Sequence, residues 1–198
     1  MSKTSIGFGV FILVSTFACF AQESRSEFSL QANGFFTKAA SGSAYTYSPT
    51  ETGGFLLAYR YRFHRGLSAE FVYGFNRDTQ KYNYPGGSFG TQSNNHQATA
   101  GLVEALPSFG RGRFSPYVLA GAGALTISPR SNSLFGAETQ AKPTFVYGGG
   151  VNYALSKRIS FRVEYRGLVY SAPNFGESTL NTSITHSALP SVGLAFHF

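Results

Sequence analysis

The closing stretch of the chain, Ile184 to Phe198, constrains the fold more than any other feature. Taken in steps of two from the last residue, one set of its positions is mostly apolar and comprises Phe198, Phe196, Leu194, Val192, Pro190, Ala188, His186 and Ile184. The intervening positions are mostly small or polar. A period of two is typical of a β-strand whose two faces meet different surroundings. The stretch therefore predicts a strand, and the rest of the chain must supply its partners.

Similar alternation recurs along the chain in segments separated by turn residues. We place seven further strands at about 28–37, 55–62, 67–76, 95–106, 114–127, 144–155 and 159–169. The alternation is cleanest in 159–169 and least regular in 95–106. In 114–127, Tyr117, Leu119, Leu125 and Ile127 share one parity, and the Gly-Ala-rich centre of that strand suits either face. The pattern thus predicts eight strands in all.

The connections between these strands alternate between long and short. We expect long loops at about 38–50, 78–93, 128–142 and 172–182, and short turns at 63–66, 107–112 and 156–158. Eight strands with this alternation are the plan of an up-and-down barrel whose two termini lie on the same side. The predicted fold is all-β, an eight-stranded antiparallel up-and-down transmembrane β-barrel.

The N-terminal segment has the pattern of an export signal. Lys3 precedes an apolar run, and small residues then lead to Ala21. We expect residues 1–21 to be a cleaved signal peptide and residues 22–198 to form the barrel. Lipidation of Cys19 is a weaker alternative, because Thr16 and Phe17 stand where Leu and a small residue usually precede such a cysteine. Cleavage after Ala21 removes the chain's one cysteine, so we expect no disulfide or thiolate site.

Composition favours a surface that does not face water everywhere. Charged residues make up 13% of the chain, against about 25% in an ordinary soluble domain. After residue 21 no apolar run approaches the roughly 18 residues of a spanning helix, so strands must make any membrane crossing. Without Lys3 the chain has fifteen Lys and Arg against nine Asp and Glu, a net charge of +6. No nucleic-acid-binding motif is visible, so we expect anionic lipopolysaccharide to be the counter-charge.

Periodicity alone does not say which face points outward. A soluble lipocalin-like barrel or a periplasmic β-sandwich has the same alternation with polar residues outside. Aromatic residues of the apolar parity lie near the predicted strand ends, as in the girdles of a membrane barrel: Tyr61, Tyr153, Phe161 and Phe198 at the turn end, and Phe36, Phe75 and Phe145 at the loop end. Glycine and alanine crowd the opposite face. We therefore favour apolar residues outside.

The predicted strand plan, together with the ending Gly-Leu-Ala-Phe-His-Phe at 193–198, resembles the outer-membrane β-barrel domain family, in particular its eight-stranded OmpA/OmpX type. The resemblance covers residues 22–198. It implies that the barrel-assembly machinery reads the closing strand, with Phe196 and Phe198 as the assembly signal. It also implies a bacterial outer-membrane location with both termini periplasmic. OmpA-type relatives often add a peptidoglycan-binding domain, and we expect none here.

Charged residues of the polar parity predict a filled barrel interior. They are Arg60, Arg62, Glu70, Glu104, Arg162, Glu164 and Arg166. Because a buried charge is tolerable mainly when it is paired, we expect these residues to form a lumen network that closes the barrel. If the strands on either side of the 63–66 turn pair symmetrically about Arg65, Arg60 lies opposite Glu70. In a soluble protein the same charges would be an ordinary solvated face.

The sequence offers no convincing catalytic or metal site. The four histidines show no paired spacing typical of metal ligands, so we expect no metal and no cofactor. Lipid-deacylating barrels place Ser and His on one face, whereas His186 and Ser187 are adjacent and must face opposite ways. We expect a non-enzymatic outer-membrane protein whose four loops are an interaction surface for adhesion or envelope integrity. A lipid A-modifying or phospholipid-modifying enzyme and a small pore are the alternatives.

Overall fold

The computed structural model describes residues 25–41, 46–110, 112–130, 138–175 and 183–198. Eight long strands and two short ones account for most of them: β1 (Ser26–Thr37), β2 (Ala40–Ser41), β3 (Thr46–Tyr47), β4 (Thr52–His64), β5 (Leu67–Tyr84), β6 (Gly87–Ala105), β7 (Phe114–Pro129), β8 (Gln140–Ala154), β9 (Ile159–Ser171) and β10 (Ile184–His197). No helix within these ranges is long and apolar enough to cross a membrane. The expected signal peptide lies outside the described residues.

The eight long strands close into a barrel. Each pairs antiparallel with its neighbours in the chain, and β1 pairs with both β4 and β10. At the closing seam Phe28 lies opposite Phe196. The backbones of Ser26 and Phe198 exchange two hydrogen bonds of 3.1 and 2.9 Å. The predicted eight-stranded antiparallel barrel is confirmed.

Apolar side chains cover most of the outer face, and polar side chains line much of the interior. On β10 the outward Phe196 is 42% exposed, whereas the inward Ala195 is fully buried. The predicted girdle positions also lie on the outer face, with Tyr61, Phe36 and Phe145 each 40% exposed or more. This arrangement is the opposite of a soluble barrel and is what a lipid surround requires.

The predicted loop at 78–93 is wrong, because most of it is strand. β5 and β6 stay paired without interruption from Leu67 and Glu104 up to Tyr84 and Gly87. A tight turn at Pro85-Gly86 joins them, and Gly86 has φ of +131°, a conformation that favours glycine. The upper part of this hairpin carries polar side chains on both faces, which removes the alternation that sequence analysis depends on. It projects past the end of β4 at Thr52, and β3 pairs beside it.

On β7 several large apolar side chains point into the barrel, whereas the outer face elsewhere is mostly apolar. Tyr117, Leu119, Leu125 and Ile127 all point into the barrel and are at most 7% exposed. Small residues occupy the outward positions in the middle of the strand. The interior therefore contains an apolar part as well as the polar part that the sequence predicted.

Candidate functional site

The interior near the turn end is organised by the β4–β5 hairpin. Arg60 lies directly opposite Glu70, which is the register expected from the sequence. Both side chains point inward, at 7% and 3% exposure. The Arg60 guanidinium donates two hydrogen bonds to Glu70 Oε2, from Nε at 3.0 Å and from a terminal nitrogen at 2.6 Å. Hydrogen bonds between two ionised groups are roughly twice as strong as neutral ones, and burial reduces their screening by solvent.

Four further charged residues extend this pair into one lumen cluster, which we define as Arg60, Arg162, Arg166, Glu27, Glu70 and Glu164. Arg166 donates to Glu70 Oε1 at 2.6 Å and also pairs with Glu164. Arg162 pairs closely with Glu27. Arg60 lies 3.7 Å from Glu27 and 3.8 Å from Glu164, which connects the pairs. Three arginines face three glutamates, so the cluster is neutral overall.

Tyr117 on β7 completes the cluster from the opposite wall. Its hydroxyl donates to Glu164 Oε2 at 2.5 Å. Its ring lies 4.5 Å from the Arg60 guanidinium carbon and 5.5 Å from that of Arg162, within cation–π range. Asn152 and Ser29 accept further hydrogen bonds from Arg162. Burying six charges is tolerable here because each has a counter-charge as well as hydrogen bonds.

Contacts among three polar residues, one of them Glu27 of the cluster, cross the closing seam at the turn end. His197 Nε2 lies 2.9 Å from Ser160 Oγ, and His197 Nδ1 lies 3.4 Å from a Glu27 carboxylate oxygen. Ser160, His197 and Glu27 belong to β9, β10 and β1, respectively. Ser160 is only 5% exposed, and Glu27 is already engaged by Arg162. These contacts connect β9, β10 and β1 at the closing seam.

Two of the predicted lumen charges lie elsewhere. Glu104 points to the outer face, opposite Leu67 and Val118, so its predicted place in the lumen is wrong. The irregular alternation of β6 caused the error, because Leu102 and Glu104 share a parity. Arg62 has lumen parity, but it lies at the open turn end and is exposed. The structure brings together the other five: Arg60, Glu70, Arg162, Glu164 and Arg166.

Sequence analysis missed Glu27, Tyr117 and His197 as members of this site. Glu27 has the same parity as Ser29 and Gln31, so extending the first strand by one residue would have found it. His197 was visible on the polar set of the closing strand. Tyr117 gave no such signal, because the parity that it shares with Leu119, Leu125 and Ile127 does not reveal which face points inward.

Toward the loop end the interior becomes apolar and then aromatic. Side chains of the middle layer are at most 4% exposed and comprise Leu56, Val72, Val146, Leu168 and Leu189. Above them lie Phe35, Tyr47, Tyr82 and Phe175, and the Tyr82 hydroxyl donates to the Pro173 carbonyl at 2.6 Å. A cavity beside Glu70 and Arg166 measures about 10 Å³, room for no more than one water molecule. Buried side chains thus occupy the interior at the turn end, in the middle and toward the loop end of the described barrel.

A buried carboxyl stabilises the base of the projecting hairpin. Asp78 of β5 is 5% exposed, and its Oδ1 accepts hydrogen bonds from Ser93 Oγ, at 2.8 Å, and from the Gln80 amide. The side-chain carbonyl oxygen of Gln80 accepts a hydrogen bond from the Tyr47 hydroxyl, and this bond connects β3 to the hairpin. Burial raises the pKa of Asp78 above its ordinary value, although the hydrogen bonds act in the opposite sense.

No arrangement typical of lipid deacylation occurs at His186 and Ser187. His186 points outward, with Nε2 3.0 Å from the Tyr147 hydroxyl. Ser187 points inward and bonds to Thr37 and Tyr170. Within the described ranges no three His, Cys, Asp or Glu side chains are grouped so as to hold a metal ion.

Comparison with known proteins assigns the family. The profile of the outer membrane protein beta-barrel domain matches residues 9–196. The chain belongs to this family. No curated protein matches it. The barrel of this family member is similar to Neisserial surface protein A (NspA), at 17% identity and a TM-score of 0.59, covering 86% of this chain and 97% of that one.

Two other solved barrels have a similar fold. OprG from Pseudomonas aeruginosa is 14% identical with a TM-score of 0.61, and the match covers 89% of this chain and 97% of that one. The outer membrane protein AlkL is 16% identical with a TM-score of 0.56, covering 91% and 94%. Identities this low show a shared fold and no more. The family assignment places this barrel in the bacterial outer membrane.

Proposed function

We propose that this protein is a non-enzymatic outer-membrane barrel, with both termini in the periplasm and its loop end as an interaction surface for adhesion or envelope integrity. One observation carries the proposal: the lumen is filled while a paired hairpin projects from one end. A neutral ion cluster, an apolar layer and an aromatic layer occupy the interior in turn. Because described side chains occupy the interior at each level, we expect no solute path through the barrel and assign the role to its outer surfaces.

The asymmetry of the barrel supports the orientation. The connections near Arg65, Pro107 and Lys157 are short, as periplasmic turns are in this class of barrel. At the other end β5 and β6 extend to Tyr84 and Gly87, far past the end of β4 at Thr52. Extracellular connections are typically the longer ones. The projecting hairpin is therefore assigned to the cell exterior.

The hairpin is well suited to present a surface of fixed shape. Tyr82 stacks on Phe89 at a centroid distance of 5.3 Å, and Tyr84 near the tip is 44% exposed. β3 pairs with one edge of the hairpin, and Asp78 anchors its base. Binding sites commonly occupy such connecting segments when a rigid scaffold holds them.

The experiment that tests this proposal uses a variant with a shortened hairpin. A variant that joins Asp78 to Ser93 through two glycines keeps the barrel strands and removes the projecting part. On whole cells we expect loss of attachment to immobilised host matrix proteins or, if the role is envelope integrity, increased entry of a large hydrophilic antibiotic. Glycine replacement of Lys157 and Arg158 at the other end is the control and leaves both readouts unchanged. A shortened variant that behaves as the wild type in both assays contradicts the proposal.

Two assays on the purified wild-type protein distinguish the proposed function from a pore and from an enzyme. In planar bilayers we expect no stable ion-conducting state, and in mixed lipid vesicles we expect no turnover of lipid A or phospholipid. A stable conducting state would show a pore, and lipid turnover would show an enzyme. Either result would overturn the proposed non-enzymatic, closed barrel.

A further inference from the structure

Three cationic side chains lie on the outer face, two beside the base of the projecting hairpin and one, Lys81, midway along it. Arg77 and Lys81 point outward from β5, and Arg130 follows the end of β7. All three are exposed. Arg77 Nε donates to Asn94 Oδ1 at 3.0 Å, and Arg130 donates to Gln92 Oε1 at 3.5 Å. Both amides belong to β6, so the two arginines are held on either side of one strand. We call Arg77, Lys81 and Arg130 the rim cations.

The strand register fixes their spacing. Arg77 of β5 lies opposite Asn94 of β6, and Asn94 lies opposite Ser128 of β7. Two residues further toward the hairpin tip, the backbone N–H of Arg130 donates to the carbonyl oxygen of Gln92. Two strand spacings of about 4.8 Å and one rise of about 6.8 Å separate the Cα atoms of Arg77 and Arg130 by about 12 Å. Long side chains that lean toward β6 from both sides bring the guanidinium groups closer than that. The pair can therefore hold two anionic groups of one headgroup.

The rim cations lack acidic partners in the described part of the chain. Every arginine of the lumen cluster has a carboxylate within 4.0 Å, whereas no Asp or Glu in the described ranges lies that close to Arg77, Lys81 or Arg130. Neutral amides orient the two arginines instead. Guanidinium groups that are positioned but not neutralised favour an anionic ligand, and phosphate fits their forked geometry.

Aromatic residues directly below set the height of the rim cations in the membrane. Phe75 and His96 pack at 5.2 Å between ring centroids, and Tyr73 bonds to His96 at 2.7 Å. Phe75 is the next outward residue of β5 below Arg77. Aromatic girdles mark the interface between acyl chains and headgroups. The rim cations therefore begin at Arg77, one outward position and about 7 Å along the tilted strand from Phe75, which is about 5 Å higher in the membrane, where headgroup phosphates lie.

We propose that the rim cations form a binding site for the phosphate groups of lipid A in the outer leaflet. The proposal rests on the orientation given under Proposed function, which places this end of the barrel outside. Lipid A carries phosphates on a rigid sugar headgroup, so one molecule engages both arginines. A glycerophospholipid presents its charge on a flexible headgroup and gains less from two fixed guanidinium groups.

The lipid face below the site is shaped to accommodate acyl chains. The outward residues in the middle of β6 and β7 are small and comprise Ala98, Ala100, Ala120, Ala122 and Ala124. By register, Phe71 and Tyr73 border them on β5, and Phe145 and Tyr147 border them on β8. The trough between these aromatic borders lies directly beneath the rim cations. Acyl chains of a lipid held by its phosphates would run along it.

Native mass spectrometry of the purified barrel in mild detergent, titrated with diphosphoryl lipid A, tests the site. The test variant is Arg77→Gln with Arg130→Gln. The matched control, Arg65→Gln with Arg158→Gln, makes the same charge change in exposed turns at the other end. We expect at least tenfold weaker lipid A binding for the test variant and at most a twofold change for the control. Gel mobility before and after heating verifies that all forms are folded.

Two control ligands test whether binding depends on the phosphates and on the identity of the lipid. Dephosphorylated lipid A should bind the wild type at least tenfold more weakly, and phosphatidylglycerol should show little difference between wild type and test variant. Equal lipid A binding by wild type and test variant overturns the site. Equal binding of phosphorylated and dephosphorylated lipid A overturns phosphate recognition, and a tenfold loss for phosphatidylglycerol overturns the choice of lipid A.

The orientation is tested separately, so the two failures are distinguishable. A tag inserted after Gly86 and probed on intact cells reports which side the hairpin occupies. Surface labelling together with the expected lipid A result supports both proposals. Labelling only after the outer membrane is opened overturns the orientation and, with it, a lipid A role in the cell, even if the purified protein binds lipid A.

Discussion

Removal of the Glu70 carboxylate is the most direct perturbation of the lumen cluster. Glu70 is 3% exposed and accepts hydrogen bonds from both Arg60 and Arg166. In Glu70→Ala three buried arginines would face two glutamates. Removing one partner of a buried ion pair typically costs about 3–5 kcal/mol. Arg166 keeps Glu164, and Arg60 keeps more distant carboxylates at 3.7 and 3.8 Å, so we expect the lower end, about 3 kcal/mol.

A double variant removes the Arg60–Glu70 pair without leaving an unpaired charge in the lumen cluster. Arg60→Met with Glu70→Leu removes one charge of each sign, and two arginines then face two glutamates. Because no uncompensated charge remains, we expect a loss that is smaller than that of Glu70→Ala by at least about 1 kcal/mol. Glu104→Ala removes a carboxylate from the outer face and is the matched control, for which we expect only a marginal change.

Urea unfolding of the barrel in lipid vesicles measures these differences. The chain contains no Trp, so far-UV circular dichroism and gel mobility are the suitable readouts. If Glu70→Ala loses less than about 1 kcal/mol, the interior is wet enough to screen its charges and the dry plug is refuted. If Glu104→Ala loses as much as Glu70→Ala, the effect is not specific to the lumen.

Three further predictions concern assembly, orientation and the hairpin. Deleting Phe198 should lower the amount of protein in the outer membrane without altering export across the inner one, and normal assembly of the truncated chain would contradict this. A tag after Gly86 should be labelled on intact cells and one after Lys157 should not; labelling of the second would show the reverse orientation. Burial raises the pKa of Asp78, so its contribution to hairpin stability is full below the ordinary Asp range and is lost as pH rises through that raised pKa. Asp78→Asn should flatten the pH dependence of hairpin proteolysis, and pH-independent cleavage of the wild type would argue against it.

The sequence predicted the strands wherever the two faces differ in polarity. It identified all eight, together with the Arg60–Glu70 register, because parity and a short turn determine both. It failed in 78–93, where Asp78, Gln80 and Thr79 make both faces polar and the strand looks like a loop. It also failed at Glu104, and it left the direction of Tyr117 open, since parity alone does not reveal which face of such a strand points inward. Only the packed interior shows that an acidic residue faces out and an aromatic one faces in.

The lumen cluster also determines where the surplus positive charge of the protein lies. The cluster is neutral, so the excess of Lys and Arg must lie outside it. The described cations outside the cluster occur at both ends of the barrel: Arg25, Arg62, Arg65, Arg113, Lys157 and Arg158 at the turn end, and Lys38, Arg77, Lys81, Arg130 and Lys142 at the loop end. Anionic lipid surfaces attract cations that lie within a Debye length, about 8 Å, of the headgroups. A barrel with cations at both ends resists displacement in either direction, because moving one set away from its headgroups drives the other toward the acyl chains.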